Sequence, residues 1–392
     1  MLSQSDRAIA RKLAIPILVA ALAADQTTNI PHRRGVTLVL RIATATKFMT
    51  MTHVATANNS QAVHSYWHLA PAVLALGYPW YLARFYDAAA VHHTFTALAA
   101  FAVVLTVPVS AFVSLCSLGR QPVPSSRGVI LQRLALFTFA TPPLFVILGV
   151  FLYLMKISGA DEKVWLGLWA AVLCATMLAL LTIPPVDKRA RAARRLAPVR
   201  VMHGAASAAI ILVFLFPHLG NHAIGIFGAD THKAVMLVLR HVYRAGWLEP
   251  ILIALFLFQI VSGLVLLLPR LGEKLDILGT LQTASGTYLV IFIASHINAV
   301  FILARYFGTD SDYAWATGLP NGLIADSWNV RLIPHYSLGV WLILSHIVCG
   351  LRTIMLAHGV SMHRANVICW TLIGGASLWA VVVVAGMVGI RI

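Results

Sequence analysis

The chain has 392 residues, of which 59% are apolar and only 11% are charged, and its mean hydropathy is +0.83. Such values lie outside the range of soluble globular domains and indicate an integral membrane protein. The net charge of +16 is concentrated between apolar segments, where it sets membrane orientation, so nucleic-acid binding is not predicted. The four cysteines form no CxxC pair, and the sequence has no GxGxxG, Walker-type, HExxH or GxSxG motif. The usual flavin, nucleotide and hydrolase signatures are therefore excluded.

The basic residues 1–50 contain an apolar stretch, 13–24, which is too short to span a bilayer and predicts an interfacial or leader-like extension. A weaker candidate span covers residues 67–83 and is interrupted by Pro71 and Pro79. Windows of about 20 apolar residues, the length that a bilayer requires, then recur along the chain. They predict an all-α polytopic membrane bundle of eight or nine spanning helices. The eight clear spans are residues 90–116, 131–156, 164–184, 201–226, 247–269, 280–304, 331–354 and 366–389.

Charge in the loops predicts the orientation of the bundle. Loop 187–200 carries six Arg or Lys residues, whereas loop 306–330 carries three Asp residues and no base. The positive-inside rule places the first loop in the cytoplasm and the second outside, so alternation puts the C-terminus outside. Segment 231–250 begins as an amphipathic stretch and is predicted to lie along the outer surface. Residues 51–185 are assigned to N-terminal membrane helices and residues 364–392 to a C-terminal membrane helix.

Residues 199–357 contain a duplicated helix pair. The segments MHGAASAAIILVFLFPHLGNH (202–222) and LQTASGTYLVIFIASHINAVF (281–301) align so that His218 superposes on His296, an offset of 78 residues. Both histidines lie far along helices that run in the same direction, so they are predicted at one depth in the outer half of the membrane. An imidazole within the membrane is costly and indicates a functional site. Two imidazoles at one depth are the donors that a low-spin haem needs on its two axial faces.

The second helices of the pair also align, because FQIVSGL matches SHIVCGL and places Gln259 opposite His346. His346 is predicted in the inner half of the membrane, where glutamine would be a poor haem ligand. His203, about 22 Å below His218 on the same helix, is a candidate to take the place of the glutamine. Two haem levels separated in this way would carry electrons across the bilayer.

Other interpretations of these side chains stay open. Any single histidine can be a core residue bonded to a backbone carbonyl or to a serine. His222, one turn beyond His218, can bond a haem propionate or share a metal ion with His218. Interfacial solvation explains three histidines at helix ends as well as ligation does: His92, His93 and His335. Three further side chains are candidates to hold a propionate or a quinone head group, although such arginines commonly snorkel: Arg133, Tyr288 and Arg305.

The segments HGAASAAIILVFLFPHLGNH and VLRHVYRAGWLEPILIALFLFQIVSGLVLL resemble the cytochrome b membrane anchor of the succinate dehydrogenase and fumarate reductase family. The resemblance covers residues 199–357 and implies one or two b haems, a quinone site and a peripheral redox partner on the cytoplasmic side. By this resemblance, His218 and His296 match the histidines of the odd helices and His346 that of the last helix, whereas Gln259 departs from the pattern. The same region is similar to the transmembrane domain of a fungal mitochondrial adapter family.

Two functions follow from these patterns. The first is a b-type cytochrome of a bacterial inner membrane that passes electrons between a quinone and a partner, as a membrane subunit of an oxidoreductase. In that function His218 and His296 bind the haem iron, and His203, His222 and His346 are further cofactor-binding candidates. The second is a non-catalytic adapter or scaffold that serves membrane organisation or lipid homeostasis.

Overall fold

The computed structural model describes residues 66–91, 94–121, 125–157, 159–184 and 196–392. The chain divides into two compact units, Met1–Trp67 and His68–Ile392, and the second holds nearly every described residue. The predicted extension of residues 1–50, the histidines at positions 92 and 93, and most of the basic loop lie outside the described residues.

Every regular element in the described ranges is helical, which confirms the all-α prediction. Seven of the described helices are long and apolar enough to cross a membrane, and the number rises to eight if a bent helix pair forms one broken span. The helices are, in chain order, α1 (Ala70–Leu76), α2 (Tyr78–Ala90), α3 (Thr94–Gly119), α4 (Ser126–Phe139), α5 (Thr141–Leu154), α6 (Asp161–Thr182), α7 (Ala197–Phe227), α8 (Ala229–Tyr243), α9 (Leu248–Arg270), α10 (Ile277–Tyr306), α11 (Tyr313–Ala316), α12 (Asn329–Ala357) and α13 (Met362–Met387).

One predicted span is replaced by the bent pair. The sequence predicts a continuous helix over residues 131–156, but α4 ends at Phe139 and α5 begins at Thr141 with an angle of 63° between them. Pro142 and Pro143 explain the break, because a proline has no backbone N–H to donate and its ring clashes with the preceding turn. The first turn of α5 tolerates them, since its amides have no partner within the helix.

The bent pair of α4 and α5 nevertheless runs from one end of the bundle to the other, because it contacts residues at both ends of the spanning helix α6. At the start of α4, the Ser126 hydroxyl donates to the carbonyl of Pro184, just beyond the end of α6, at 2.6 Å. In α5, Gly149 packs beneath the guanidinium of Arg331, which pairs with Asp161 at the start of α6. The described chain therefore supports eight crossings.

The ninth predicted span is not formed as one helix. Residues 67–83 cover a short 3-10 turn (Trp67–Leu69), all of α1 and the first residues of α2. Helices α1 and α2 have only seven and 13 residues and are joined at Gly77. Pro71 and Pro79 lie in the first turns of these two helices, where proline is tolerated. Each helix is too short to cross the hydrocarbon core alone.

Contacts between helix ends agree with the predicted alternation of helix direction. The amide of Ile392 donates to the carbonyl of Ile226 at 3.2 Å, so the ends of α13 and α7 lie on one side. The amide of Leu275 donates to the carbonyl of Gly119 at 2.9 Å, so the end of α3 and the start of α10 lie together. The assignment of these sides to cytoplasm and exterior is the prediction from loop charge.

Each copy of the repeat is a packed helix pair, with α7 against α9 and α10 against α12. The apolar windows of α7, α9 and α10 are covered sparsely, since 17%, 11% and 17% of their residues are buried, compared with 33% in α3 and in α12. Much of the surface of these three helices therefore faces lipid or accessible space between helices rather than a sealed core. These are the helices that carry most of the predicted site.

Candidate functional site

The two copies of the repeat place a phenylalanine and a histidine in the same arrangement. In α7 the ring of Phe214 stacks on His218, with ring centres 4.8 Å apart and planes 20° apart. In α10 the ring of Phe292 lies parallel to His296, at 6.1 Å and 5°. The spacing of four residues puts both members of each pair on one helix face. Each imidazole is therefore held on one side by an aromatic ring of its own helix.

The structure brings His218 and His296 together. Their ring centres are 5.9 Å apart, and their planes are 71° apart. Two imidazoles on opposite faces of one metal ion, with bonds of about 2 Å, have their ring centres about 6 Å apart. The observed separation therefore suits two donors that share a metal. Both residues are only half-buried, so their rings border accessible space.

A row of rings continues outward from this pair. His222 lies 4.6 Å from His218 between ring centres, and His232 of α8 lies 5.2 Å from His222. The Nδ1 atoms of His222 and His232 are buried and have no hydrogen-bond partner within the described part of the chain. The amide of Asn221 contacts His232 Nε2 at 3.2 Å. The ring of Tyr313 covers His232 at 4.3 Å.

His232, which is only 3% exposed, was not among the site residues predicted from the sequence. Burial lowers the pKa of His232 to about 4, against the opposing effect of Asp312. The imidazole is therefore neutral at physiological pH and can act as an acceptor or a donor. The one signal in the sequence was its position near the start of an amphipathic segment, and that signal does not reveal which groups the helix packs against.

One interpretation of His335 from the sequence was a solvated residue at a helix end. That interpretation is wrong, because His335 is only 2% exposed. Its ring lies 4.6 Å from Phe292, which is therefore flanked by His335 and His296. The hydroxyl of Tyr288 donates to the His335 carbonyl at 3.1 Å and is itself fully buried. Arg305 pairs with Glu249.

The inner histidines have hydrogen-bonded Nδ1 atoms. His203 Nδ1 contacts the Ser262 hydroxyl at 2.7 Å, and His346 Nδ1 lies 3.1 Å from both the Ser285 hydroxyl and the Gln282 carbonyl. A bond at Nδ1 fixes the ring and leaves Nε2 for a ligand. In the described chain, however, no ring contact joins His203 to His346. Gln259 donates to the His203 carbonyl at 2.9 Å.

Among the described residues, no three or more His, Cys, Asp or Glu side chains converge as a group that could hold a metal ion. A protein-only metal site with three such ligands is therefore not formed there. The metal ion that His222 can share with His218 stays a prediction. A haem needs only two axial ligands from the protein, because the porphyrin supplies the other four. The pair of His218 and His296 meets that smaller requirement.

Composition and fold define this chain as a helical integral membrane protein. No protein-family model, curated protein or solved structure matches it. The resemblance to cytochrome b anchors thus depends on the repeat segments themselves.

Charged contacts attach the loop after α10 to α8. Asp312 accepts from the Lys233 ammonium at 3.1 Å and from the Trp315 amide at 3.0 Å. Arg240 lies 3.6 Å from Asp310 and donates to the Ser311 carbonyl at 3.1 Å. These contacts hold Tyr313 over the outer end of the histidine row.

The protection of this loop from amide exchange is expected to be greatest at intermediate pH. Burial acts to raise the pKa of Asp312, but hydrogen bonds from Trp315 and Lys233 outweigh it and hold the pKa below 3.8. The Asp312 carboxylate therefore stabilises the attached loop above pH 3.8. This stabilisation is lost as the pH falls through the pKa that Asp312 has in the folded protein. The hydrogen bond to Asp312 raises the pKa of Lys233 above 10.5. The stabilisation that the Lys233 ammonium contributes is therefore lost only when the pH rises beyond that value.

Protection factors of residues 308–318, measured by hydrogen exchange across this range, test the prediction. Asp312→Asn should lower protection at neutral pH. It should also remove the acid limb, which is the fall in protection as the pH is lowered through the pKa of Asp312. An acid limb that persists unchanged in Asp312→Asn would assign the pH dependence to another group.

Gly339 of α12 lies directly against the ring of Phe292, and a methyl group in its place would overlap that ring. Gly339→Ala is expected to displace Phe292 and to destabilise the protein by about 1–3 kcal/mol, as overpacking does. Phe292→Leu in the same chain should recover much of the loss, since the smaller side chain leaves room for the methyl group. Thermal denaturation of both single variants and the double variant measures the coupling, and strictly additive losses would show that the two side chains do not compete for space.

Proposed function

We propose that the protein is a membrane b-type cytochrome in which His218 and His296 are the axial ligands of one haem. The observation that carries the proposal is their meeting with ring centres 5.9 Å apart, from equivalent positions of two repeat copies. Such a pair supplies the two nitrogen donors of a low-spin haem. When bound, the haem supplies a one-electron iron couple within the membrane.

The surrounding residues fit that group. Phe214 and Phe292 each restrain the plane of one imidazole by ring contact. His222 has a buried Nδ1 with no partner among the described residues, and an N–H at that atom could donate to a haem propionate. The sparse coverage of α7, α9 and α10 is compatible with a flat macrocycle between helices.

His203 and His346 are the candidates for a second haem at an inner level. Their Nδ1 atoms are held by Ser262 and Ser285, which leaves both Nε2 atoms for an iron. Two levels would let electrons cross a bacterial inner membrane between a quinone and a redox partner on the cytoplasmic side. The outer level has the stronger support, because the rings of His218 and His296 are in contact, whereas no ring contact joins His203 to His346 in the described chain.

The purified protein, produced with an ample haem supply, tests the proposal. One or two haems per chain and an α-band in the reduced-minus-oxidised spectrum are expected, together with reduction of the haem by added quinol. A preparation without an α-band would reject the cytochrome proposal. A band that quinol does not reduce would support haem binding and remove the quinone from the function.

The alternative function, a non-catalytic membrane scaffold, is favoured by one observation. Gln259 occupies the repeat position of His346, and its amide donates to the His203 carbonyl, which is a structural contact. If the repeat were retained only as architecture, substitution of His218 and of His296 would alter stability without a spectroscopic change.

A further inference from the structure

A cavity of about 440 Å³ lies at the end of the bundle that the charge pattern assigns to the cytoplasm. The end of α3, the start of α10 and the first turns of α13 meet there. The hydrogen bond from the Leu275 amide to the Gly119 carbonyl, at 2.9 Å, joins two of these elements. Side chains of both polar and apolar character line the cavity: Arg120, Lys274, Leu275, Asp276, Asn366 and Trp370.

Among the described residues of the lining, the one acid is Asp276, and it already has a basic partner. Arg352, whose side chain is 10% exposed, forms an ion pair with Asp276. Asp276 also accepts from the Gly279 amide at 2.8 Å, as the N-cap of α10. Glu273, although it precedes Lys274, is not part of the lining. The carboxylate is therefore committed to its own helix and to Arg352.

The basic side chains, by contrast, remain available. Neither Arg120 nor Lys274 has an acidic partner among the described residues. Arg352 Nε donates to Asn366 Oδ1 at 2.8 Å, which orients that amide so that its N–H2 group is the end left to bind another acceptor. The cavity thus carries an excess of positive charge and of hydrogen-bond donors.

The other side of the cavity is apolar. Trp370 follows Asn366 by one turn on the same face of α13 and is 48% exposed. Tryptophan is typical of the interface between head groups and acyl chains, where its ring is apolar and its N–H is polar. Leu275 and Leu278 continue the apolar lining. Donors for an anion therefore lie beside a surface suited to the glycerol and upper acyl region of a lipid.

We infer that this cavity binds the phosphate head group of an anionic phospholipid. Basic pockets between membrane helices on the cytoplasmic side are suited to such head groups. Arg120, Lys274 and the Asn366 amide would donate to the phosphate, and the Trp370 ring would contact the lipid below it. The inference is independent of haem binding, because none of these residues takes part in the histidine site.

Lipid binding to the full chain in detergent, followed by native mass spectrometry, tests the inference. Phosphatidylglycerol is expected to bind more tightly than phosphatidylcholine. Arg120→Gln/Lys274→Gln should weaken phosphatidylglycerol binding about 30-fold, because each basic residue near an anionic head group contributes about five- to sixfold and the two factors multiply. Arg127→Gln/Arg200→Gln removes the same charge from the same end of the bundle outside this cavity and should change binding little. Equal weakening by both double variants would show that the lipid responds to the overall positive charge of this end of the bundle and not to the cavity. That result would overturn the inference.

Two further measurements complete the test. The first distinguishes a lipid head group from free phosphate, and the second uses a conservative variant in case the double variant does not fold. Inorganic phosphate should displace the lipid only at far higher concentration, and displacement at comparable concentration would contradict a lipid site. Trp370→Phe keeps the charges and should lower affinity for the lipid without lowering affinity for inorganic phosphate. An unchanged lipid affinity in Trp370→Phe, together with an unchanged affinity in Arg120→Gln alone, would also overturn the inference.

Discussion

Replacement of His218 or His296 by alanine is expected to remove one haem per chain and its share of the α-band. Each variant deprives the iron of one axial donor, and the remaining imidazole cannot hold a six-coordinate low-spin haem alone. The haem content of purified variants, measured against protein concentration, gives the result directly. His241→Ala is the matched control, because His241 lies on the exposed side of α8 and should leave the haem content unchanged.

Rescue separates loss of a ligand from loss of the fold. Imidazole added to His218→Ala or His296→Ala is expected to restore a low-spin spectrum, because the truncated side chain leaves space beside the iron. His222→Ala should retain the haem, since His222 is proposed to contact a propionate rather than the iron. Full haem content in either axial variant, without added imidazole, would contradict the assignment.

Arg331→Met is expected to cause the largest loss of stability, about 3–5 kcal/mol, because it leaves the Asp161 carboxylate without its partner. The two side chains are 10% and 17% exposed, and Arg331 Nη1 lies 2.6 Å from Asp161 Oδ2. The guanidinium also lies over the rings of Phe145 and Trp328, at 4.6 and 4.8 Å from the ring centres. One residue thereby connects α5, α6 and α12.

Thermal unfolding in detergent measures this effect. Arg331→Met/Asp161→Asn should be less destabilised than Arg331→Met, since the second change removes the stranded charge. The control is Arg84→Met, which breaks a pair whose side chains are 85% and 62% exposed and should cost at most about 1 kcal/mol. Similar losses in Arg331→Met and Arg84→Met would show that burial of the Arg331 pair has no energetic consequence.

The spans could be predicted because a bilayer imposes a minimum length of apolar sequence on each crossing helix. The break between α4 and α5 could not be located by hydropathy, because hydropathy measures side-chain polarity, whereas Pro142 and Pro143 act through the backbone. The same limit applied to residues 67–83, where the prolines lie in the first turns of two short helices.

The meeting of His218 and His296 followed from the repeat, since equal positions on parallel helices reach equal depth. The burial of His335 against Phe292 and of His232 against Tyr313 did not follow, because each depends on packing between residues that are far apart in the chain. The packing of Tyr313 on His232 is set by pairs such as Lys233 with Asp312, separated by 79 residues in the chain. Local periodicity contains no information about such a contact.

The electron paramagnetic resonance spectrum of the ferric protein tests most directly whether one iron lies between His218 and His296. A haem held by both imidazoles would give a ferric low-spin signal, and the 71° between the two ring planes would favour a signal with one large, isolated g value. We predict this signal in the parent chain and its loss in both His218→Ala and His296→Ala. A signal of unchanged shape and intensity in either variant would contradict the account.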